Sequence, residues 1–293
     1  MLKNSENNKY LLSILIPAFN CVDCISFIVS NLTSQSLVDC ELVIFDDSTN
    51  QEVSDFVNQL RKDDTLGCRL NYHKNMPSCG PIYNWNSLLD CAQGEYCILL
   101  HHDEFPFSDN FIRELSYELL NNDNDVFVMD CVLVDIKHMV TRQHFPNWFR
   151  KVVITYFPKY LLRRNVIGPV STLTVKTSIF PRFDTNLQWH VDSELYFRLF
   201  NNKSSVRFIP TIKIGSSLDR SKSITSTICR DIKDIKKNEV DYLGNIYRGN
   251  FWLKRSCYNN WPYMVAYILE SAAWYAFRSF QYGRFFILLF LKK

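Results

Sequence analysis

The sequence predicts an α/β fold, a mostly parallel β-sheet with helices on both faces. Three observations carry that prediction. Short apolar runs rich in β-branched residues alternate with segments of helical period over the first 130 residues. Several of those runs stop abruptly at polar residues, as at Asp46-Asp47 and at 101–104 (HHDE). The composition is that of an ordinary globular chain. Of 293 residues, 47% are hydrophobic, 22% are charged and only 8 are glycine, which excludes collagen-like, linker and disordered classes.

Each element follows from its pattern. Residues 11–17 (LLSILIP) read as a buried strand, and 20–33 as a helix with Cys24, Phe27, Ile28 and Leu32 on its apolar face. Residues 40–45 (CELVIF) are a second buried strand, and 51–60 a helix built on Val53, Phe56, Val57 and Leu60. A short strand at 68–72 precedes a helix at 84–92, which Gly94 closes. Residues 96–100 (YCILL) form a fourth buried strand, 109–120 an amphipathic helix and 126–135 a further strand. The stretch 137–165 is irregular and rich in Arg, Phe and Pro, and reads as a long surface excursion. A strand at 171–175, a helix at 191–200 and a strand at 206–209 follow, and the charges of 231–237 read as a solvated helix face.

The net charge of +3 is too small to make nucleic acid the expected partner. No run approaches the roughly 20 apolar residues needed to span a bilayer. The opening MLKNSENNKY has no apolar signal region, so a cytosolic setting is expected. Of the 10 cysteines, Cys21 and Cys24 form a CxxC that admits a redox or metal role. No second pair lies at zinc spacing, and the other cysteines read as small hydrophobes.

In a parallel sheet the ligand lies beyond the carboxyl ends of the strands. Asn20, Asp46, Asp47 and the 101–104 cluster therefore gather on one edge although they are far apart in sequence. No Gly-x-Gly-x-x-Gly follows the first strand, so a dinucleotide site is not expected.

The motifs, taken in order, resemble the inverting family 2 glycosyltransferases of the GT-A fold, of the bacterial surface-polysaccharide type, over roughly residues 10–225. They are SILIPAFN (13–20), FDDSTN (45–50), NWNSLLDCAQGEY (84–96), CILLHHDEF (97–105), IGPVSTL (167–173), WHVDSELYFRL (189–199) and SKSIT (221–225). The resemblance implies a GT-A nucleotide-diphospho-sugar transferase domain over 1–228. Its nucleotide-binding half would be about 10–135 and its acceptor half 136–228, with a helical extension at 229–293.

It also implies a set of roles. Pro17, Phe19, Asn20, Asp46, Asp47, Asn86, His102 and Arg220 would contact the donor nucleotide. Trp85 would stack on the ligand or fill core. Asp103 matches the principal metal-binding Asp for Mn²⁺ or Mg²⁺. His101 stands where the family's DxD has its first Asp, and is a second candidate ligand. Hard divalent cations take oxygen ligands and neutralise a diphosphate leaving group. Asp192 matches the general base that deprotonates the acceptor hydroxyl. Glu194 is the neighbouring alternative, and Arg198 reads as an ion-pairing residue.

The activity implied is metal-dependent, inverting transfer of a sugar from a nucleotide donor, UDP-linked by preference, to a hydroxyl of a glycan. That glycan would be polyprenyl-diphosphate-linked, as in O-antigen, capsule or lipooligosaccharide synthesis. The alternative, prompted by His101, is a degenerate GT-A protein serving as a binding or scaffold subunit. The aromatic and basic region 258–293 suits either an interfacial membrane contact, on the cytoplasmic face of the inner membrane, or packing on the domain.

Overall fold

The computed structural model describes residues 9–63, 66–135, 140–143, 145–218 and 232–247. The elements run in chain order: β1 (Tyr10–Ala18), α1 (Val22–Thr33), β2 (Cys40–Asp46), α2 (Glu52–Asp63), β3 (Arg69–Lys74), α3 (Pro81–Cys91), β4 (Gly94–Leu99), β5 (Glu104–Pro106) and α4 (Phe111–Asn121). There follow β6 (Val126–Val134), β7 (Val140–Gln143), α5 (Asn147–Tyr156), β8 (Leu173–Lys176), α6 (Val191–Asn201), β9 (Val206–Ser217) and α7 (Ile232–Ile246).

One sheet carries the strands in the order β3-β2-β1-β4-β8-β6-β9-β5, and β7 pairs with β6. The block β3-β2-β1-β4 is parallel throughout. β8 then enters antiparallel to both β4 and β6, β6 and β9 are parallel, and β5 is antiparallel to β9. The sheet is therefore mixed, its parallel character concentrated where strand and helix alternate in the sequence.

The pleat of β1 explains the two layers. Ile14 and Ile16 point to the face covered by α1, α2 and α4, where Ile25, Val53 and Phe111 pack. Leu15 points to the opposite face, where Leu88 of α3, Phe149 of α5 and Leu195 of α6 pack. Every residue of β1 from Leu12 onward is buried, so its run is continuously apolar apart from Ser13. That serine donates to the buried Glu41 at 2.6 Å and accepts the Gly94 N–H at 2.8 Å.

The structure corrects four expectations. Gly94 does not close the preceding helix; it opens β4. A Cβ there would lie 2.5 Å from the Ser13 backbone nitrogen, so only glycine lets this strand lie against β1. α3 starts at Pro81, earlier than its apolar period shows, because proline suits a first helical turn. The excursion at 137–165 is not irregular: it forms β7, α5 and a 3₁₀ turn at Pro158–Leu162. Its helical period is masked because Arg150 occupies a core position. Arg150 is fully buried and donates to the Met129 carbonyl at 2.8 Å and to Asn147 Oδ1 at 3.0 Å. Finally, the charged segment at 231–237 opens a helix that is more than a solvated face, since Glu239 and Leu243 of α7 are buried.

Cys21 and Cys24 are joined to each other at the start of α1, so neither thiol is left for a metal. Among the described residues no helix is long and apolar enough to cross a membrane.

Candidate active site

The parallel block places the ends of β1, β2 and β4 on one edge of the sheet. Pro17 is buried in β1 and pairs in register with Phe45. Phe19 is 51% exposed beyond it. Asn20 takes a left-handed backbone (φ +46°), which asparagine tolerates. Its N–H donates to Ser48 Oγ at 2.8 Å and its Oδ1 accepts the Thr49 N–H at 3.0 Å, stapling the two turns together.

Asp46 and Asp47 are both occupied. Asp46 accepts the Ser48 N–H at 2.9 Å and the Tyr72 hydroxyl at 2.8 Å, and Lys74 Nζ lies 3.4 Å away. Asp47 accepts four donors: the Cys79 N–H at 2.7 Å, the Ser78 hydroxyl at 2.7 Å, Asn75 Nδ2 at 2.9 Å and the Gly80 N–H at 2.9 Å. Burial alone would raise its carboxyl; those donors outweigh burial and hold it below the usual range. Asp47 thus shapes the 75–80 loop, while the Asp46 side chain ties β3 to the turn after β2. Asn84, at the start of α3, ties that loop to β2 by donating to the Phe45 carbonyl at 3.1 Å.

The next residue, Trp85, enters a cavity of about 460 Å³ lined also by 101–104, 163–165 and 188–193. The 101–104 turn closes when the Glu104 N–H donates to the His101 carbonyl at 3.0 Å. Glu104 is buried, accepts the His101 N–H at 3.2 Å and lies 3.4 Å from His101 Nδ1. The Trp85 ring covers the imidazole, centroids 4.7 Å apart. Burial would lower the His101 pKa, but Glu104 foremost, with Asp192 and Asp103, lifts it to about 9. Burial would likewise raise Glu104, and His101 holds it below the ordinary value. Among the described residues neither Asp103 nor Asp192 has an ion-pair partner. Burial and the adjacent Glu104 raise Asp103 against the opposing pull of His101 and His102. Burial raises Asp192 to about 6, with His101 opposing and Glu104 and Asp103 reinforcing.

Asp192 sits in the first turn of α6, and that turn is held from outside. Glu239 of α7 accepts the N–H groups of Gln188 at 2.5 Å, Trp189 at 3.0 Å and His190 at 2.8 Å, and lies 3.0 Å from His190 Nδ1. A carboxylate placed on these N–H groups complements the positive end of the helix. Burial would raise Glu239, but His190 and the three backbone donors hold it low. Glu194, the alternative base, is buried against Arg198 at 2.5 and 2.7 Å and against the Tyr247 hydroxyl. It does not line the cavity; Arg198 is the ion-pairing residue its sequence position suggests. Further along α6, the Tyr196 hydroxyl donates to the Gly168 carbonyl at 2.9 Å, joining 167–173 to the same wall.

The structure therefore brings His101, His102, Asp103 and Asp192 into one cavity. It groups Pro17, Phe19, Asn20, Asp46 and Asp47 at the neighbouring strand ends. Asn86 stands apart. Its amide exchanges two hydrogen bonds with the Phe183 backbone, at 2.9 and 2.7 Å, and acts as a strut. Arg220, the SKSIT segment and the 258–293 region lie outside the described residues. Trp85 is 7% exposed in the core and also lines the cavity. Sequence reasoning missed Glu239, Arg163 and Arg164. For Glu239 no local signal exists, because its partners lie about 50 positions upstream.

The donor set suits a hard divalent cation. Among the described residues no group of three His, Cys, Asp or Glu converges on one point. Such ions nevertheless often take one or two carboxylates and complete their shell with phosphate and water. Asp103 offers the carboxylate; burial first, then Glu104, disfavours its charge, a penalty that a bound cation would relieve. Among the described residues, His101 Nε2 is buried with no hydrogen-bond partner.

Residues 13–184 match the family described as Glycosyl transferase family 2. A glucosyltransferase of Escherichia coli, WfaP, named as UDP-Glc:α-D-GlcNAc-diphosphoundecaprenol β-1,3-glucosyltransferase, is 30% identical over 107 residues, covering 36% of this chain and 41% of that protein. An uncharacterised glycosyltransferase of Haemophilus influenzae is 26% identical over 115 residues, covering 39% and 45%. The chain thus matches less than half the length of either relative. In fold, it is similar to S. aureus TarS 1–349 in complex with UDP-GlcNAc (TM-score 0.57, 16% identity, covering 74% of this chain and 61% of that one). It is also similar to the mannosyltransferase PcManGT of Pyrobaculum calidifontis in complex with GDP-Man and Mn²⁺ (TM-score 0.57, 15% identity, covering 92% and 76%).

Proposed function

The chain belongs to glycosyl transferase family 2, with the GT-A fold, and on that premise we propose that it is a metal-dependent, inverting glycosyltransferase. The observation that carries this reading is the meeting of Asp103, from the β4–β5 turn, and Asp192, from α6, in one cavity with His101 between them electrostatically.

The roles follow from chemistry. Asp103 would hold Mn²⁺ or Mg²⁺, which when bound neutralises the diphosphate as it leaves. The turns bearing Phe19, Asn20, Asp46 and Asp47 would form the nucleotide side, with His102 and Arg220 toward the phosphates. Asp192 takes the proton of the acceptor hydroxyl as its oxygen bonds to the anomeric carbon. The bond from that carbon to the diphosphate oxygen breaks on the opposite face, and configuration inverts. At about 6, its pKa leaves Asp192 deprotonated at neutral pH yet more basic than an ordinary aspartate. The named activity of WfaP supports a UDP-sugar donor and a lipid-diphosphate-linked acceptor. Synthesis of a surface polysaccharide at the inner face of the cytoplasmic membrane, with the 258–293 region against the bilayer, accords with that acceptor.

The test is thermal stabilisation by UDP, GDP and dTDP, each with and without Mn²⁺. A nucleotide at 100 times its Kd should stabilise the wild type by about 2.7 kcal/mol. Asp103→Ala should lose the Mn²⁺-dependent part. Asp192→Asn should keep it while transfer falls by a factor on the order of 10²–10⁴. If no nucleotide stabilises the wild type at millimolar concentration, the scaffold reading replaces this one.

A further inference from the structure

The segment 136–183 contains nine Lys and Arg and no Asp or Glu, in a chain whose totals are 33 and 30. The remainder of the chain is therefore net acidic; of the nine, Arg150, Lys151 and Lys159 fall in α5 and the 3₁₀ turn after it. Within that part, Arg150 is committed to the core. Lys176 pairs with Asp123 and Arg182 with Asp90. No ion pair among the described residues involves Lys151 or Lys159.

α5 is two-faced. Phe149, Arg150, Val153 and Ile154 are buried. The opposite face presents Trp148, 50% exposed, and Tyr156, 71% exposed, two turns apart, with Lys151 and Thr155 exposed between them. The 3₁₀ turn then carries Lys159 and leads directly to Arg163 and Arg164 on the cavity wall. Trp and Tyr flanked by long cationic side chains are the residue types that settle at a bilayer's headgroup level.

We propose that this outward face of α5, with Lys159 after it, docks on an anionic membrane surface. Charge complementarity decides the occupant. The alternative from within the chain is the segment 248–293, which carries Arg248, Lys254, Arg255, Arg278, Arg284, Lys292 and Lys293 against one acid, Glu270. A basic tail does not complement a basic face, whereas anionic headgroups attract both. Docking here would hold the protein at the surface that carries a lipid-linked acceptor, which is the use the glycosyltransferase reading gives it. The surface and the charge stand without that reading.

The experiment is sedimentation of the full chain with phosphatidylcholine vesicles, with and without phosphatidylglycerol. The wild type should bind only the anionic vesicles, and less as salt rises. Trp148→Ser/Tyr156→Ser should weaken binding by about tenfold or more, and Lys151→Glu severalfold. Lys62→Glu, the same charge change on exposed α2, should leave it unchanged. Nucleotide-dependent stabilisation, measured on the same proteins without vesicles, should match the wild type throughout. Absence of wild-type binding overturns the docking surface, as does unchanged binding by all the α5 variants, which would put the contact in 248–293. Loss of nucleotide stabilisation in the wild type, with vesicle binding intact, overturns only the catalytic reading.

Discussion

Four aspartates of one sequence show how much the surroundings decide. Asp46 and Asp47 are saturated by donors, and Asp103 and Asp192 are crowded by burial and like charge. The consequences for stability have opposite signs. Asp47→Ala strips four donors of their acceptor at the 75–80 loop, and should cost about 3 kcal/mol in denaturant unfolding. Asp103 has a raised carboxyl pKa in the folded protein, so its charge opposes folding at neutral pH. Asp103→Asn should therefore be neutral or stabilising in the metal-free protein while removing Mn²⁺-dependent nucleotide binding. A site that holds unrelieved charge trades stability for ligand affinity.

At the scale of elements, α6 carries Asp192 and α7 holds α6 in place. Glu239 takes the N–H groups of the two residues leading into α6 and of its N-cap His190, and its carboxyl is held below its ordinary pKa. A depressed carboxyl contributes stability that is fully present above its unfolded pKa and is lost as pH falls through its folded one. Glu239→Gln should thus be less stable than the wild type at neutral pH by up to ~2 kcal/mol. The gap should close as pH drops below the usual glutamate range, as read from denaturant midpoints across pH. A gap that stays constant with pH would mean the carboxylate charge does not anchor the helix.

At the scale of the whole molecule, we propose that the folded body extends through α7. Leu243 is fully buried in the core layer that α6 occupies, and Tyr247 packs on Phe197 with centroids 4.8 Å apart. A chain cut after residue 228 loses that burial and the Glu239 anchor together, about 4 kcal/mol. It should melt about 10 °C below a chain cut after residue 247. Equal melting temperatures would make 229–247 an appendage.

What was legible in the sequence is what depends on local pattern. The apolar runs of β1, β2 and β4 and the helical periods between them fixed an alternating α/β order, because burial on both faces demands continuous hydrophobicity and one-sided burial demands a period. The polar residues closing those runs marked the site edge for the same reason. Gly94, Arg150 and Glu239 were not legible, since each answers to a partner distant in the chain: the β1 backbone, the Met129 carbonyl and the α6 N-terminus. The family resemblance offered separate roles for Asp46 and Asp47, for Asp103 and for Asp192. What only the tertiary structure decided is their electrostatic state, because a carboxylate's charge is stabilised or penalised by how many donors and how many charges the fold brings within reach.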